Sequence, residues 1–373
     1  MKKRNLKIVI LGSRGIPARY GGYESFTENL SKRLVRMGVN VTVFCPSDSE
    51  YKKYTYHGIN LRFILNLEKL FGPFGTLLYD ILSLIKASFS DFSLIYMLGY
   101  SSAWFCIFPR LFGKKVVINT DGLEWKRSKW PKLGRLYLKL NEYLAAKFAD
   151  ELISDSRAIK KYFREKYKRD STYIPNGAEV FSSKDKKILK KFNLKPFEYY
   201  LVVARLEPEN NVDKIIKGFS LTKSKKRLLL ITNIKPTKYF EKVKELCEKD
   251  KRVIFFGPLY NVKELNEVRA NAFAYIHGHS VGGTNPSLLE SMGCGNLVIA
   301  FDVPFNREVL RNNGFFFKNE IELKKIIERL EKLSKREIIS IGRKNREIIK
   351  KYYNWDKVSK QYFKFFTKLL ADG

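Results

Sequence analysis

Short runs of large apolar and β-branched residues alternate along this chain with stretches of helical periodicity, and this alternation restricts the fold most. The first run, Leu6–Leu11, ends at Gly12, and apolar residues then recur at helical spacing from Phe26 to Met37. Buried strands that are separated by helices are typical of βαβ units, which build parallel sheets. The chain is therefore predicted to be α/β, with helices on both faces of its sheets.

The predicted strands form two sets. The first set comprises Leu6–Leu11, Val39–Cys45, Ile59–Leu65, Leu94–Leu98, Val116–Asn119, Leu152–Ser154 and Tyr173–Ile174. After the turn signal Pro175–Gly177 and a polar, Lys-rich helix, the second set comprises Tyr199–Ala204, Leu228–Thr232, Val253–Phe256, Ala274–His277 and Val298–Phe301.

We therefore predict two doubly wound domains that face each other across a cleft. The first covers residues 1–180 and the second 181–354, and the helix Trp355–Leu370 within 355–373 is expected to pack back on the first domain. Doubly wound sheets bind ligands at the carboxyl ends of their strands. Loops that follow the strands are therefore the places to look for a site.

Composition excludes wholesale disorder and indicates the kind of partner. Of the 373 residues, 45% are hydrophobic, which is enough to build real cores. There are 71 Lys and Arg against 38 Asp and Glu, so the net charge is +33, and it is spread over both halves of the chain. Such a field attracts polyanions: nucleic acid, an anionic membrane face or phosphorylated substrates.

Cysteine usage and two apolar segments bear on location. The four cysteines are far apart without CxxC spacing, which fits reduced thiols in the cytosol. Phe92–Pro109 carries no charge. It is either a membrane span or a buried strand followed by a short buried helix, and the small polar residues at 99–102 favour the second. Leu67–Phe89 is either a membrane-contacting helix or an ordinary core helix.

Two loops of the first domain have residues suited to binding. Gly12–Glu24 joins the first strand to the first helix, where Arg14 and Arg19 could reach phosphates, although a merely tight loop is the alternative. The segment is neither a P-loop nor GxGxxG, which disfavours a dinucleotide oxidoreductase. Asn119–Arg127 follows a buried strand, and its Asp121 and Glu124 are suited to bind sugar hydroxyls, to act as a base, or simply to pair with surface cations.

Two segments of the second domain are more specific. Arg205 ends its first strand, where a cation can face a diphosphate. In the Gly-rich segment His277–Glu290, Asn285 can cap a helix that starts at Pro286, and the free N–H groups there would cradle a phosphate. Glu290 is placed to accept two hydrogen bonds from a ribose; its alternative is a surface carboxylate. His277 and His279 could suggest a metal, but no third ligand is evident.

Taken in order, these four segments resemble glycosyltransferase family 4, the retaining GT-B enzymes, over essentially the whole chain. More narrowly they resemble bacterial rhamnosyltransferases of capsule and cell-wall polysaccharide assembly. The resemblance implies two Rossmann-like domains, a nucleotide sugar bound mainly to the second, and no metal or other cofactor. The donor-binding residues that it implies are Gly21, Gly22, Arg205, Asn210, His279, Gly283, Thr284, Asn285 and Glu290. The candidate catalytic residues on the acceptor side are Asp121, Glu124 and Asp155.

The chain departs from the wider family at two positions. Gly282 stands where the family has Glu, and Asn210 stands where it usually has Lys. The resemblance implies that the narrower group shares both changes, so they are not interpreted as inactivation. Arg14, Arg19 or Lys126 are the candidates for supplying the missing positive charge.

The resulting expectation is an enzyme that moves L-rhamnose from dTDP-β-L-rhamnose to a saccharide on a polyprenyl-diphosphate carrier. It would act with retention of configuration, in the cytoplasm and peripherally on the anionic inner face of the cell membrane. One alternative keeps the fold and uses a UDP- or GDP-sugar. Another is a nucleic-acid-binding protein that uses the positive field, although no nucleic-acid motif is recognised and nucleic acid is not expected as a partner.

Overall fold

The computed structural model describes residues 6–18 and 21–371. The strands are β1 Lys7–Leu11, β2 Asn40–Pro46, β3 Thr55–Tyr56, β4 Ile59–Ile64, β5 Leu94–Leu98, β6 Lys115–Asn119, β7 Glu151–Ser154, β8 Thr172–Tyr173, β9 Tyr199–Val203, β10 Arg227–Ile231, β11 Val253–Phe256, β12 Ala274–His277, β13 Val298–Phe301 and β14 Phe315–Phe317.

The α-helices are α1 Gly22–Arg36, α2 Glu68–Phe71, α3 Pro73–Ser88, α4 Ile107–Leu111, α5 Lys132–Phe148, α6 Arg157–Tyr167, α7 Ile188–Lys191, α8 Val212–Ser220, α9 Lys238–Glu248, α10 Val262–Ala270, α11 Pro286–Gly293, α12 Pro304–Leu310, α13 Glu320–Leu330, α14 Lys335–Ile348 and α15 Trp355–Ala371. Short 3-10 turns lie at Ala103–Cys106, Glu124–Lys126 and Pro208–Asn210, and a π-helical turn lies at Ile349–Tyr353.

The chain divides into two compact units. The first contains residues 1–125, 130–176 and 355–373, and the second contains 126–129 and 177–354. Each unit holds one sheet, in the order β3-β4-β2-β1-β5-β6-β7-β8 for the first and β11-β10-β9-β12-β13-β14 for the second. All the named strand pairs are parallel except β3 with β4. Two parallel-sheet α/β domains confirm the predicted fold class.

In the first unit, alternate residues of the strands point into two separate cores, as the period of two in a strand requires. Ile8 and Ile10 of β1 lie in the core that also contains Phe26 of α1 and Tyr362 of α15. The neighbouring residues of β1 lie in the other core, with side chains of α3, α5 and α6. The sheet of the second unit is likewise covered on both faces.

Three local predictions need correction. The short antiparallel strand β3 and the edge strand β14 were not predicted, because runs of two or three residues carry little periodic signal. The Lys-rich helix expected after Gly177 is reduced to the single turn α7, since residues 177–187 are not helical. The segment Phe92–Pro109 does contain the buried strand β5, but the helical turns after it are only partly buried: Ala103, Cys106 and Pro109 are buried, whereas Trp104 and Ile107 are exposed.

The segment Leu67–Phe89 has both a core face and an outer face. Tyr79, Leu84 and Ala87 of α3 are buried, whereas Phe71 and Phe74 are exposed. In the described residues no helix is both long enough and apolar enough to cross a membrane.

We expect Phe366→Ala to lower the free energy of unfolding by about 3–5 kcal/mol, the usual cost of removing a fully buried aromatic ring. The ring contacts those of Tyr96 and Tyr362 in the core of the first unit. Urea denaturation would measure the change. Gln361→Ala on the exposed side of the same helix is the control and should change stability little; equal effects of the two variants would contradict this account of α15.

Candidate functional site

The central feature of the second unit is a point at which the chain leaves two neighbouring strands in opposite directions. Strands β9 and β12 are paired; β9 is followed by α8 and β10 on one side, and β12 by α11 and β13 on the other. Loops that diverge in this way leave a crevice at the carboxyl ends of the two strands, which is where doubly wound sheets bind ligands. The predicted donor segments are these two loops.

The two loops are joined by backbone contacts that only a glycine allows. A Cβ on Gly278 would lie 2.1 Å from the carbonyl oxygen of Asn210. The Asn211 side-chain amide donates to the Gly278 carbonyl at 2.8 Å, and Ser280 donates from its N–H and from its hydroxyl to the Glu209 carbonyl, at 2.9 and 2.8 Å. The loop after β12 is therefore held against the loop after β9.

Arg205 and Asn210 occupy different environments in the loop after β9. The Arg205 side chain is exposed. Asn210 is buried, and its side-chain amide donates to the Arg205 carbonyl at 2.8 Å. Asn210 thus fixes the backbone that carries Arg205, a role that the sequence did not indicate.

The loop after β12 leads into the N-terminus of α11. Gly283 and Thr284 are buried, and Pro286 is the first residue of the helix, as predicted. Asn285 stands at the N-cap position, but its side chain makes no capping hydrogen bond, so the capping prediction is wrong in that respect. The positive end of the helix dipole therefore points into the loop.

Glu290 lies one turn inside α11 and forms an ion pair that sequence reasoning missed. One of its carboxylate oxygens lies 2.6 Å from Nη2 of Arg269, a side chain that is only 3% exposed. The other guanidinium nitrogen Nη1 of Arg269 donates to Asn266 Oδ1 at 2.9 Å. Arg269 lies in the last turn of α10, shortly before the glycine-rich motif begins, and no residue of the motif itself indicated the pair.

His277 and His279 form a parallel stack, with ring centroids 4.3 Å apart. Burial lowers the pKa of His277 to about 3. Burial also holds the pKa of His279 well below its usual range, and the neighbouring His277 ring and the charges of Arg205 and Arg127 lower it further. Both imidazoles are therefore neutral at physiological pH. In the described residues no group of three or more His, Cys, Asp or Glu is placed to hold a metal ion.

The first unit has an equivalent point between β1 and β5. A Cβ on Gly12, whose φ is +86°, would lie 2.4 Å from the Leu98 carbonyl oxygen, so this loop too depends on glycine. Gly21 is the N-cap of α1 and Gly22 its first residue. The Arg14 N–H donates to Glu24 at 2.9 Å, and the Arg14 side chain pairs with Glu68. Arg19, the other predicted phosphate ligand there, lies outside the described residues.

The three candidate catalytic residues follow neighbouring strands of the first unit. Asp121 and Glu124 come after β6, and Asp155 follows β7. Asp121 has a left-handed backbone (φ 48°), and its N–H donates to Asn119 Oδ1 at 2.9 Å. Glu124 accepts from the Trp130 indole N–H at 3.1 Å. Asp155 is buried. These carboxylates therefore share one edge of the sheet.

Beneath this edge lies Glu142, a fully buried carboxylate that was not singled out from the sequence. It accepts hydrogen bonds from the Trp125 indole N–H at 2.9 Å and from the Tyr100 hydroxyl at 3.2 Å. Tyr162, Tyr167 and Lys166 are its other donors. The Tyr100 oxygen in turn accepts the Glu124 N–H at 3.0 Å. Glu142 thus supports the segment that carries Glu124.

Known proteins and protein families resemble both units of this chain. Residues 184–355 match the family model for glycosyl transferases group 1, and residues 5–179 match a domain of unknown function, DUF1972. An uncharacterized glycosyltransferase of Methanocaldococcus jannaschii, MJ1069, is 26% identical over 406 aligned positions, which cover 98% of this chain and 100% of that protein.

Two solved structures resemble the whole chain. Sucrose-phosphate synthase from Thermosynechococcus elongatus superposes with a TM-score of 0.85 at 18% identity, covering 99% of this chain and 100% of that one. Anabaena HepE in complex with UDP and glucose superposes with a TM-score of 0.77 at 18% identity, covering 97% and 100%. The fold is therefore GT-B. With the match of residues 184–355, the chain is a GT-B glycosyltransferase whose second unit is a glycosyl transferases group 1 domain.

We expect Gly278→Ala to destabilise the second unit by about 1–3 kcal/mol, because the new methyl group must displace the Asn210 backbone. Urea denaturation would detect it. Gly257→Ala is the matched control, since its methyl group would meet only the flexible end of Ile234 at 3.2 Å. If both variants are equally stable, the two loops do not approach as described.

Proposed function

We propose that this chain is a retaining glycosyltransferase whose nucleotide-sugar donor binds in the crevice between β9 and β12. The observation that carries the proposal is the convergence of three groups there. Arg205 provides an exposed cation, the loop 278–285 runs into the N-terminus of α11, and Glu290 follows one turn later. A cation and a helix N-terminus suit a diphosphate, and a carboxylate suits the hydroxyls of a ribose.

In this proposal, the main catalytic task is to stabilise the nucleoside diphosphate as it leaves. Preorganised donors do this without reorganising during the reaction, and no metal ion is needed. Arg269 helps by holding the Glu290 carboxylate in a fixed orientation. By resemblance, the acceptor attacks from the face that the diphosphate leaves, and the leaving phosphate assists its deprotonation. Asp121, Glu124 and Asp155 are proposed to contact the acceptor.

For the donor sugar we propose L-rhamnose from dTDP-β-L-rhamnose, on the strength of the four motifs quoted above. The acceptor would be a polyprenyl-diphosphate-linked saccharide of bacterial polysaccharide biosynthesis. A UDP-sugar is the second candidate, and the structural likeness to HepE, which was solved with UDP and glucose, favours it.

We expect a nucleoside diphosphate to raise the melting temperature, because a ligand that binds only the folded state stabilises it. The panel is dTDP, UDP, GDP and NAD. Arg205→Ala and Glu290→Gln should each weaken binding by about tenfold or more, the usual effect of losing a charged hydrogen bond. Lys217→Ala, an exposed charge on α8, is the control.

The panel separates the alternatives. A selective response to dTDP supports rhamnosyl transfer, and a selective response to UDP or GDP keeps the enzyme class but replaces the donor. A folded protein that responds to none of the four, or only to NAD, would contradict the proposed function.

We also propose that the first unit rests on an anionic membrane face, where a polyprenyl-linked acceptor resides. On α5, Leu133, Leu136, Leu140 and Tyr143 are exposed, and their spacing places them on one side of the helix. Lys132, Arg135 and Lys139 are exposed beside them, whereas Glu142, the helix's one acidic residue, is buried. An apolar stripe flanked by cations is typical of interfacial helices.

The apolar surface continues beyond α5. The Trp104 N–H donates to Asn141 of α5 at 3.1 Å, which joins the turn Ala103–Cys106 to that helix. The turn leads into α4, whose Ile107 and Leu111 are exposed. This surface lies outside the segment Leu67–Phe89 that the sequence suggested.

We expect the protein to float with vesicles containing phosphatidylglycerol at low salt, and less with phosphatidylcholine vesicles. The triple variant Leu133→Ser, Leu136→Ser, Leu140→Ser should reduce the bound fraction by about tenfold or more, since each buried leucine contributes roughly 1.5–3 kcal/mol. The matched control is Leu221→Ser, Ile234→Ser, Val262→Ser, three exposed apolar residues of the second unit. Equal flotation of both triple variants would refute the assignment of this surface.

A further inference from the structure

The segment 126–129 lies between residues of the first unit along the chain, yet it belongs to the second unit. It contains Lys126, Arg127 and Lys129. We propose that Arg127 is a second cation, beside Arg205, for the diphosphate of the donor. This inference rests on the proposed function and adds a residue that the sequence motifs did not assign to the donor.

Glu209 contacts both Arg127 and its neighbour Ser128. The Ser128 hydroxyl donates to Oε2 of Glu209 at 2.8 Å. Nη1 of Arg127 lies 3.8 Å from the other carboxylate oxygen, Oε1, and the two side chains are only 15% and 4% exposed. A pair this deeply buried is costly unless further contacts compensate for the lost solvation.

Glu209 itself lies where the two donor loops meet. It immediately precedes Asn210, and its carbonyl accepts both hydrogen bonds of Ser280 from the loop after β12. Arg127 is therefore placed beside the crevice between β9 and β12, not elsewhere on the unit.

His279 lies in the loop after β12, beside the crevice. The charges of Arg205 and Arg127 both act on this imidazole and help to keep it neutral. A nucleoside diphosphate carries at least two negative charges and several acceptor oxygens, so two guanidinium groups suit it better than one.

The test compares nucleoside diphosphate with monophosphate binding by calorimetry, using the base that wild-type protein prefers. Arg127→Gln should weaken the diphosphate by about tenfold or more, the value of a charged contact, and the monophosphate by less than about threefold. Arg127→Lys should retain part of the preference, because it keeps the charge and loses the fork of donors. Lys129→Gln, an exposed cation of the same segment, is the matched control and should leave both affinities unchanged.

Glu209→Gln separates a ligand-binding role from a purely structural pair. If Arg127 only neutralises Glu209, both variants should harm stability alike and shift both nucleotides equally. If Arg127 binds the diphosphate, Glu209→Gln should keep or increase diphosphate affinity, because a competing carboxylate is removed. Melting temperatures without ligand establish whether each variant is folded. If Arg127→Gln does not fold, the nucleotide affinities of Arg127→Lys are compared with those of the wild-type protein instead.

Failure of the proposed function and failure of the role of Arg127 give different results. If the wild-type protein binds no nucleoside diphosphate, the proposed function is wrong and this inference falls with it. If the wild-type protein binds and Arg127→Gln loses both nucleotides equally, or neither, only the role of Arg127 is refuted.

Discussion

The arrangement of this molecule depends on a close approach of backbone to backbone at the centre of each sheet. In the second unit the loop after β12 passes so near the Asn210 carbonyl that only Gly278 fits, and in the first unit Gly12 meets the Leu98 carbonyl in the same way. Parallel strands bring their loops to one edge of each sheet. Within each unit, one glycine then lets the chain after one central strand approach the backbone at the end of the neighbouring strand or in its loop. In each unit, the crevice at that edge is therefore lined by backbone groups and by a small number of side chains.

Contacts with buried charged residues hold several of the candidate side chains in place. Arg269 fixes Glu290, Glu209 fixes Arg127, and Glu142 supports the segment of Glu124 through Tyr100. Each buried charge has a partner or several hydrogen bonds, as low-dielectric surroundings require. The partners lie on different elements: Arg269 is on α10 and Glu290 on α11, whereas Glu142 is on α5 and Tyr100 follows β5.

The buried strands were predictable because their apolar runs are bounded by turns; β5, β11, β12 and β13 begin and end at the predicted residues. Predictions failed where the signal was short or depended on context. Strand β14 has three residues and pairs only at the sheet edge. Ile107 belongs to the segment predicted to be buried, but it is exposed on α4, because only packing decides which side of a short apolar helix is covered.

The sequence by itself determined the α/β class, the strands and the loops that hold the candidate residues, because periodicity and glycine placement are local properties. It also indicated Arg205 and the loop before α11. Only the tertiary structure decided that Arg269 pairs with Glu290 and that Arg127 joins the second unit. Those contacts join residues on different elements, and their distances depend on how the helices pack on the sheet, which no local pattern records.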